Sequence, residues 1–288
     1  MLRLSAPAKI NLSLKVLGRR DDGYHILESL VAFVDIDDQL ILEKAEDTTF
    51  EVTGPVAVSA GEDNLVRRAH TALQTHIGRR LPCHMVLEKN LPVAAGLGGG
   101  SADAAAALRG LSDLFDVDEK TILPLAENLG ADVTVCLDSA PAMIRGIGHD
   151  VERLADLPPF DIVLVNLRQT LATADVFEAF SLEDPGQTLA IPNFDEAAML
   201  LDFVEEQGND LQAPACKLVP EIAACLAALE ESGFAYSAMS GSGASCFGLC
   251  APGSGSAMAA RYRALREKDW VVAGHLIGAG DTKINKTD

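Results

Sequence analysis

In residues 91–111, LPVAAGLGGGSADAAAALRGL, four of the five positions 96–100 are glycine and an alanine-rich run follows directly. Glycine loses more conformational entropy on folding than any other residue, so a cluster marks backbone that must approach something closely or adopt positive φ. Ala102, Ala105, Ala106 and Leu111 recur at helical spacing, which predicts a helix beginning where the cluster ends. A loop without side chains that runs into a helix N-terminus presents consecutive N–H groups beside the positive end of the helix dipole, a receptacle for an anion. A tight turn with close helix–strand packing accounts for one glycine, not for four. Two familiar signatures are excluded by residue identity: G-x-G-x-x-G fails at Ser101, and G-x-x-x-x-G-K-[ST] fails because no Gly-Lys pair occurs.

Around this loop the apolar pattern switches between period two and period 3.6. Ile10, Leu12, Leu14 and Val16 alternate with Lys9, Asn11, Ser13 and Lys15, predicting a strand over 2–17 with one buried face. GRRDDGYH (18–25) is turn chemistry, and strands are predicted at 30–36, 39–43 and 50–53. Asp63 or Asn64 caps a helix with the apolar stripe Leu65, Ala69, Ala72, Leu73 and Ile77. A strand at 83–89 leads into the glycines, a helix at 118–129 stops at Gly130, and short strands are predicted at 133–137 and 141–145. ERLADLPPFD (152–161), with its two prolines, marks a domain junction that divides the chain into 1–155 and 156–288. Beyond it come a strand at 161–167, helices at 173–180, 194–207 and 219–232, strands at 235–239 and 245–250, a helix at 254–268 and a strand at 270–277. The last eight residues are polar and expected to fray. The pattern is that of a two-lobed α+β chain. A second small-residue cluster, SAMSGSGASCFGL (237–249), is either another close-approach loop or a plain hairpin, and RGIGHD (145–150) is a turn.

The net charge is −19, from 42 acidic against 23 basic residues, a field that repels nucleic acid and anionic membrane surfaces. An anionic ligand therefore needs a local exception built from a few cations and oriented N–H groups. No apolar run reaches the length of a membrane span, and the opening MLRLSAPAKINL lacks the apolar core of a secretory signal, so a cytoplasmic location is expected. Six cysteines without a CxxC pair and six scattered histidines argue against a disulfide framework or a zinc site.

PAKINLSLKVLGRRDDGYH (7–25), LPVAAGLGGGSADAAAAL (91–108), GADV (130–133) and MSGSGASCFG (239–248) occur in that order. Together they resemble the GHMP small-molecule kinases over nearly the whole chain, the first two blocks being the specific ones. The resemblance implies an N-terminal domain like the second domain of ribosomal protein S5, followed by a ferredoxin-like C-terminal domain. It implies ATP as co-substrate, its phosphates lying on Pro92, Val93, Ala94, Ala95, Gly96, Leu97, Gly98, Gly99, Gly100, Ser101 and Ala102. It also implies Mg2+, and Asn64 and Lys89 near the adenine; by residue type Ser101 serves as a helix N-cap or offers its hydroxyl to a phosphate or the metal. On residue type alone, Asn64 suits a helix N-cap and Lys89 a snorkelling strand lysine. Asp103, in the first turn of the predicted helix, suits either a metal or the helix dipole.

Phosphoryl transfer is largely positioning and charge stabilisation, assisted by a carboxylate that accepts or orients the hydroxyl proton. The positions matching the family's catalytic pair are Asp132, in that role, and Lys9, which keeps the carboxylate ionised and attracts charge developing on oxygen. Without the resemblance, Lys9 reads as a strand lysine on a solvated face and Asp132 as a turn residue beyond Gly130, where a strand-to-helix edge aims it into a cleft. Asn11, Tyr24, His25 and Phe177 are the implied substrate contacts. Asn11 shares the strand face of Lys9; Tyr24 stacks on a pyrimidine whose edge His25 reads, with Phe177 on the other side of the base. Tyr24 as a loop anchor and Phe177 as a core residue are the plainer readings. Within the family, DGYH points to a cytidine diphosphate conjugate as small-molecule substrate, phosphorylated on a polyol hydroxyl on the way to isoprenoid precursors. Another acceptor within the family, or a nucleotide-binding regulator without turnover, are the alternatives. The chain departs from the family pattern at Thr134, Val135 and Cys136, at His149 in place of an acid, and at Glu178, where a basic residue can occur.

Overall fold

The computed structural model describes residues 1–93, 95–182, 188, 190–281 and 284–286. The first half runs β1 (Leu2–Asn11), β2 (Lys15–Arg19), β3 (His25–Lys44), β4 (Thr49–Thr53), α1 (Leu65–Ile77), β5 (Cys83–Glu88), α2 (Gly99–Phe115), α3 (Ile122–Leu129), α4 (Ala131–Asp138), β6 (Ala142–Gly146) and β7 (Asp150–Arg153). After a stretch without regular structure come β8 (Asp161–Asn166), α5 (Thr173–Ala179), α6 (Ala197–Gln207), α7 (Gln212–Leu218), α8 (Glu221–Ser232), β9 (Tyr236–Met239), β10 (Ser245–Cys250), α9 (Gly255–Leu265), β11 (Trp270–Ile277) and β12 (Ile284–Lys286). Among the described residues all strands join one sheet, with the central order β12-β1-β3-β11-β8-β10-β9. The α+β expectation holds, with helices and an antiparallel-dominated sheet in both halves.

The strand expected over 2–17 is two strands, and residues 6–14 of it are buried on both faces. Its register against β3 shifts between Pro7 and Lys9. Leu2, Leu4 and Ala6 pack into a core with α1 and α2, whereas Ala8, Ile10 and Leu12 pack into a second core with Ile162, Leu164 and Phe247. Lys9, Asn11 and Ser13, expected on a solvated face, are buried too. The runs at 30–36 and 39–43 form one 20-residue strand, because Asp37 and Asp38 between them find tertiary partners instead of turning the chain.

Helix α1 is capped as its sequence suggests: the Asn64 side chain accepts from the Val66 N–H at 3.0 Å. Helix α2 starts at Gly99, inside the glycine cluster. Its alanines 102 and 104–107 are all buried, and small side chains let it sit deep against the sheet. A Cβ on Gly110 would lie 2.6 Å from Leu42 Cδ1 and 2.7 Å from Leu4 Cδ1.

Three expectations are corrected. Residues 133–137 are not a strand but the body of α4; Val133, Val135 and Cys136 join the core with α2, and that packing overrides the strand preference of a β-branched run. The helix expected at 219–232 is preceded by a separate helix, α7, with Pro220 between them. In the tail expected to fray, β12 pairs antiparallel with β1, Leu2 opposite Lys286.

Candidate active site

Lys9 and Asn11 project from the end of β1 into a cleft of about 560 Å3. Lys9 Nζ donates to Asp132 Oδ1 at 3.2 Å and to Asn11 Oδ1 at 3.1 Å. The orientation of Asn11 is set behind it: its Nδ2 donates to Ser29 Oγ at 2.7 Å, and that hydroxyl gives its own hydrogen to the Ser13 carbonyl at 2.6 Å. The amide oxygen of Asn11 is therefore the atom left to face the lysine. The Lys9 side chain is 5% exposed and that of Asp132 44%, so the pair presents a carboxylate to the cleft from a buried ammonium. Asp132 lies in the first turn of α4, just past Gly130, and not at the strand-to-helix edge expected for it.

The glycine loop closes over this pair. The Lys9 N–H donates to the Leu97 carbonyl at 2.9 Å. Ser240 Oγ accepts from the Asn11 N–H at 3.1 Å and donates to the Gly96 carbonyl at 2.7 Å. Gly96 has φ +70°, and a Cβ there would stand 2.3 Å from the Ser240 carbonyl oxygen, so the second small-residue cluster is a hairpin loop that also makes a close approach. No side chain caps α2, whose N-cap is Gly98, so its first N–H groups have no side-chain partner, and Gly99, Gly100 and Ser101 line the cleft.

Of the residues matched to ATP, Asn64, Lys89, Pro92, Val93, Ala95, Gly96, Gly98, Gly99, Gly100 and Ser101 line this cleft. Leu97 and Ala102 instead bury their side chains in the core. Ala94 lies outside the described residues.

A second cavity of about 750 Å3 shares Leu27, Thr173 and Phe177 with the first and is also lined by Tyr24, His25 and Phe180. His25 stacks on Phe177 with centroids 4.7 Å apart, and Phe180 meets the same imidazole edge-on at 6.2 Å. Burial, then the Arg19 charge, hold the His25 imidazole below its ordinary value. Tyr24 is 64% exposed at the rim, so it is not a buried loop anchor, and the ring that Phe177 meets directly is His25. Glu178 lines this cavity, His149 sits in the β6–β7 turn, and Thr134 Oγ1 is buried with no partner among the described residues.

Lys89 is neither snorkelling nor solvated: its Nζ donates to Asp103 Oδ2 at 2.7 Å and to Asp38 Oδ2. Burial pulls the Lys89 ammonium down, but the charges of Asp103 and Asp38 outweigh it and the net shift is upward. Burial, opposed by Lys89 and reinforced by Asp38, pushes the Asp103 carboxyl up to about 7. Asp103 falls beyond the first turn of α2, because the helix begins two residues before Ser101. Asp38 escaped the sequence reading; an acid within an apolar strand run was the available signal.

The description "GHMP kinases N terminal domain" matches residues 64–146, and "GHMP kinases C terminal" matches residues 190–268, together more than half of the chain. The chain belongs to the GHMP kinase family. It is a small-molecule kinase, a phosphotransferase. This GHMP kinase is 45% identical over 282 residues to the 4-diphosphocytidyl-2-C-methyl-D-erythritol kinase of Paracoccus denitrificans (strain Pd 1222), covering 96% of this chain and 97% of the relative. To the protein of that name from Rhizobium etli (strain CIAT 652) it is 42% identical over 272 residues, 93% of this chain and 92% of the relative. The crystal structure of a 4-(cytidine 5'-diphospho)-2C-methyl-D-erythritol kinase superposes with a TM-score of 0.81 at 35% identity, covering 96% of this chain and all of the other. No helix among the described residues is long and apolar enough to cross a membrane.

Proposed function

We propose that this kinase transfers the γ-phosphoryl group of ATP to the 2-hydroxyl of 4-diphosphocytidyl-2-C-methyl-D-erythritol. The observation that carries the reading is the Lys9–Asp132 pair, set beneath a glycine loop and beside a second, aromatic cavity. The relatives' names supply the acceptor. Residues 92–102 cradle the triphosphate, with Asn64 and Lys89 walling the nucleotide side. His25 and Phe177 hold the cytosine, Tyr24 covers it from the rim, and Asn11 holds the acceptor beside Lys9.

The cleft contains two lysines, each already bonded to carboxylates, so the attraction for phosphate rests on backbone N–H groups and the α2 dipole. Among the described residues no cluster of three or more His, Cys, Asp or Glu could cage a metal. That donor set suits Mg2+, which usually arrives on the phosphates with most of its waters and needs few protein ligands. The Ser101 hydroxyl would hold it, and the ion would neutralise charge on the β- and γ-phosphates. Asp132 accepts the proton of the acceptor hydroxyl as its oxygen forms the new bond to phosphorus; the bond from the γ-phosphorus to the bridging oxygen breaks, and ADP leaves. Lys9, bonded to Asp132, orients that carboxylate and stabilises charge on the attacking oxygen.

The test is ATP consumption by the purified chain with magnesium and this acceptor, wild type against Asp132→Asn. Acceptor-dependent turnover that falls by about 10²- to 10⁴-fold in the variant is expected, the usual worth of a positioned acid or base. Turnover that survives in the variant would move the proton acceptor elsewhere. A folded wild type that binds ATP yet leaves this acceptor untouched would refute the substrate assignment.

A further inference from the structure

Beneath the proposed phosphate loop lies a charge cluster separate from the Lys9–Asp132 pair. Asp38, in the middle of β3, is fully buried, and Lys89 and Asp103 are nearly so. Asp38 Oδ1 accepts the N–H groups of Asn90 at 2.6 Å and Leu91 at 2.8 Å, the two residues that open the loop. Its Oδ2 accepts from Lys89 Nζ, which also donates to Asp103 Oδ2 in α2, the helix into which the loop closes. The lysine backbone is anchored as well: its N–H donates to the Thr53 carbonyl at 2.8 Å and its carbonyl accepts from Val56 at 3.2 Å. Gly99 makes room for the ammonium, since a Cβ there would stand 3.2 Å from Nζ.

An apolar trio of similar volume would hold a core as well or better, because charges taken out of water carry a large desolvation penalty. It could not accept the two loop N–H groups, nor set distances with the geometric definition of charge-assisted hydrogen bonds. We propose that Asp38, Lys89 and Asp103 form a buried clamp that fixes the separation of the two ends of the phosphate loop, with Asp38 as its positioning residue. The clamp governs affinity for ATP through the loop, and Asp38 touches neither substrate. This rests on residues 92–102 being the triphosphate site.

Asp38→Asn retains an acceptor for Asn90 and Leu91 but removes the charge opposite Lys89. Affinity for a non-hydrolysable ATP analogue with magnesium, titrated without acceptor, is expected to fall about tenfold. Amide exchange at residues 90 and 91 should accelerate, while the KM of the acceptor stays within about twofold, a split that general destabilisation would not produce. Unchanged analogue affinity, or equal losses for both substrates, overturns the clamp. If Asp38→Asn does not fold, the deciding variant is Lys89→Met with Asp103→Leu, which removes the cation together with its second carboxylate. Wild-type analogue affinity in that double variant, or a loss without faster amide exchange at residues 90 and 91, overturns the proposal; a tenfold loss with faster exchange there and acceptor KM preserved supports it, because losing a direct Lys89 contact with the nucleotide would not loosen those two N–H groups. Because the titration omits the acceptor, a wrong acceptor leaves the result standing. A wild type that binds no analogue refutes the loop reading itself.

Discussion

His70 shows how one buried side chain ties this kinase's stability to pH. It lies on the inner face of α1, where Nε2–H donates to the Leu81 carbonyl at 2.8 Å. Burial lowers its affinity for a proton, the Leu81 carbonyl opposes that, Arg67 adds to it, and the net shift is below 6.5. The unfolded chain therefore takes up a proton at a pH where the folded one still resists. Below 6.5 the unfolded state binds more protons, so stability rises with pH up to that value and levels off above it. The thermal midpoint of the wild type should fall more than that of His70→Gln on acidification from about pH 7 to about pH 5.5. Equal falls would assign the acid sensitivity to other groups. Lys9 and Asp132 illustrate the opposite limit, in which a residue matters by where it is held: a strand lysine became a buried ammonium because Leu97 and α4 close over it.

At the scale of elements, the glycine loop and the β9–β10 hairpin are one unit. Gly96 and Gly78 both have positive φ, but a Cβ on Gly96 collides with the hairpin backbone, whereas nothing lies within 4 Å of a Cβ on Gly78. Gly78→Ala should cost about 1 kcal/mol, the strain of a left-handed alanine at a helix end. Gly96→Ala adds a steric clash with backbone, so its loss of thermal midpoint should be several-fold larger by this comparison, and it should weaken ATP binding as well. Thermal scans and analogue titrations of the two variants provide the check, and parity between them would mean the loop and hairpin are not packed together. The α4 segment shows the limit of local propensity. Its β-branched residues favour a strand, yet the helix forms because Val133, Val135 and Cys136 then join the core shared with α2 and α3.

Across the whole molecule, the sheet does not stop where the sequence suggests a junction. Strand β11 pairs with β3 from the first half and with β8 from the second, and one core draws Ile10, Leu30, Ile162 and Phe247 together. Halves that share a sheet and a core lose both when either opens, so calorimetry should show a single endotherm whose van't Hoff and calorimetric enthalpies agree. Two resolved endotherms would mean that residues 1–155 and 156–288 fold independently. The net charge of −19 makes the cleft's arrangement intelligible at this scale. A molecule that repels anions has turned the N-terminus of α2, rather than spare lysines, to the place proposed for a triphosphate.

How much was legible follows from the range of the forces involved. The glycine cluster, the capped helix α1, the α2 helix and the hairpin strands were readable because backbone conformation and hydrophobic period are local properties. The residues of the family blocks were equally visible, since identity and order suffice to find them. Which of them meet was not: Lys9 and Asp132 are 123 residues apart, and only the packing of α4 on α2 brings them to 3.2 Å. Asp38 went unnoticed because its partners, Lys89 and the Asn90 and Leu91 N–H groups, lie more than fifty residues away in the chain. The same holds for the loss of a solvated face on β1, where Leu97, Asp132 of α4 and Ser240, all distant in the chain, close over Lys9 and Asn11. Sequence alone determined the elements and the chemistry available. Tertiary structure decided burial and pairing, because both depend on what non-local packing places against each side chain.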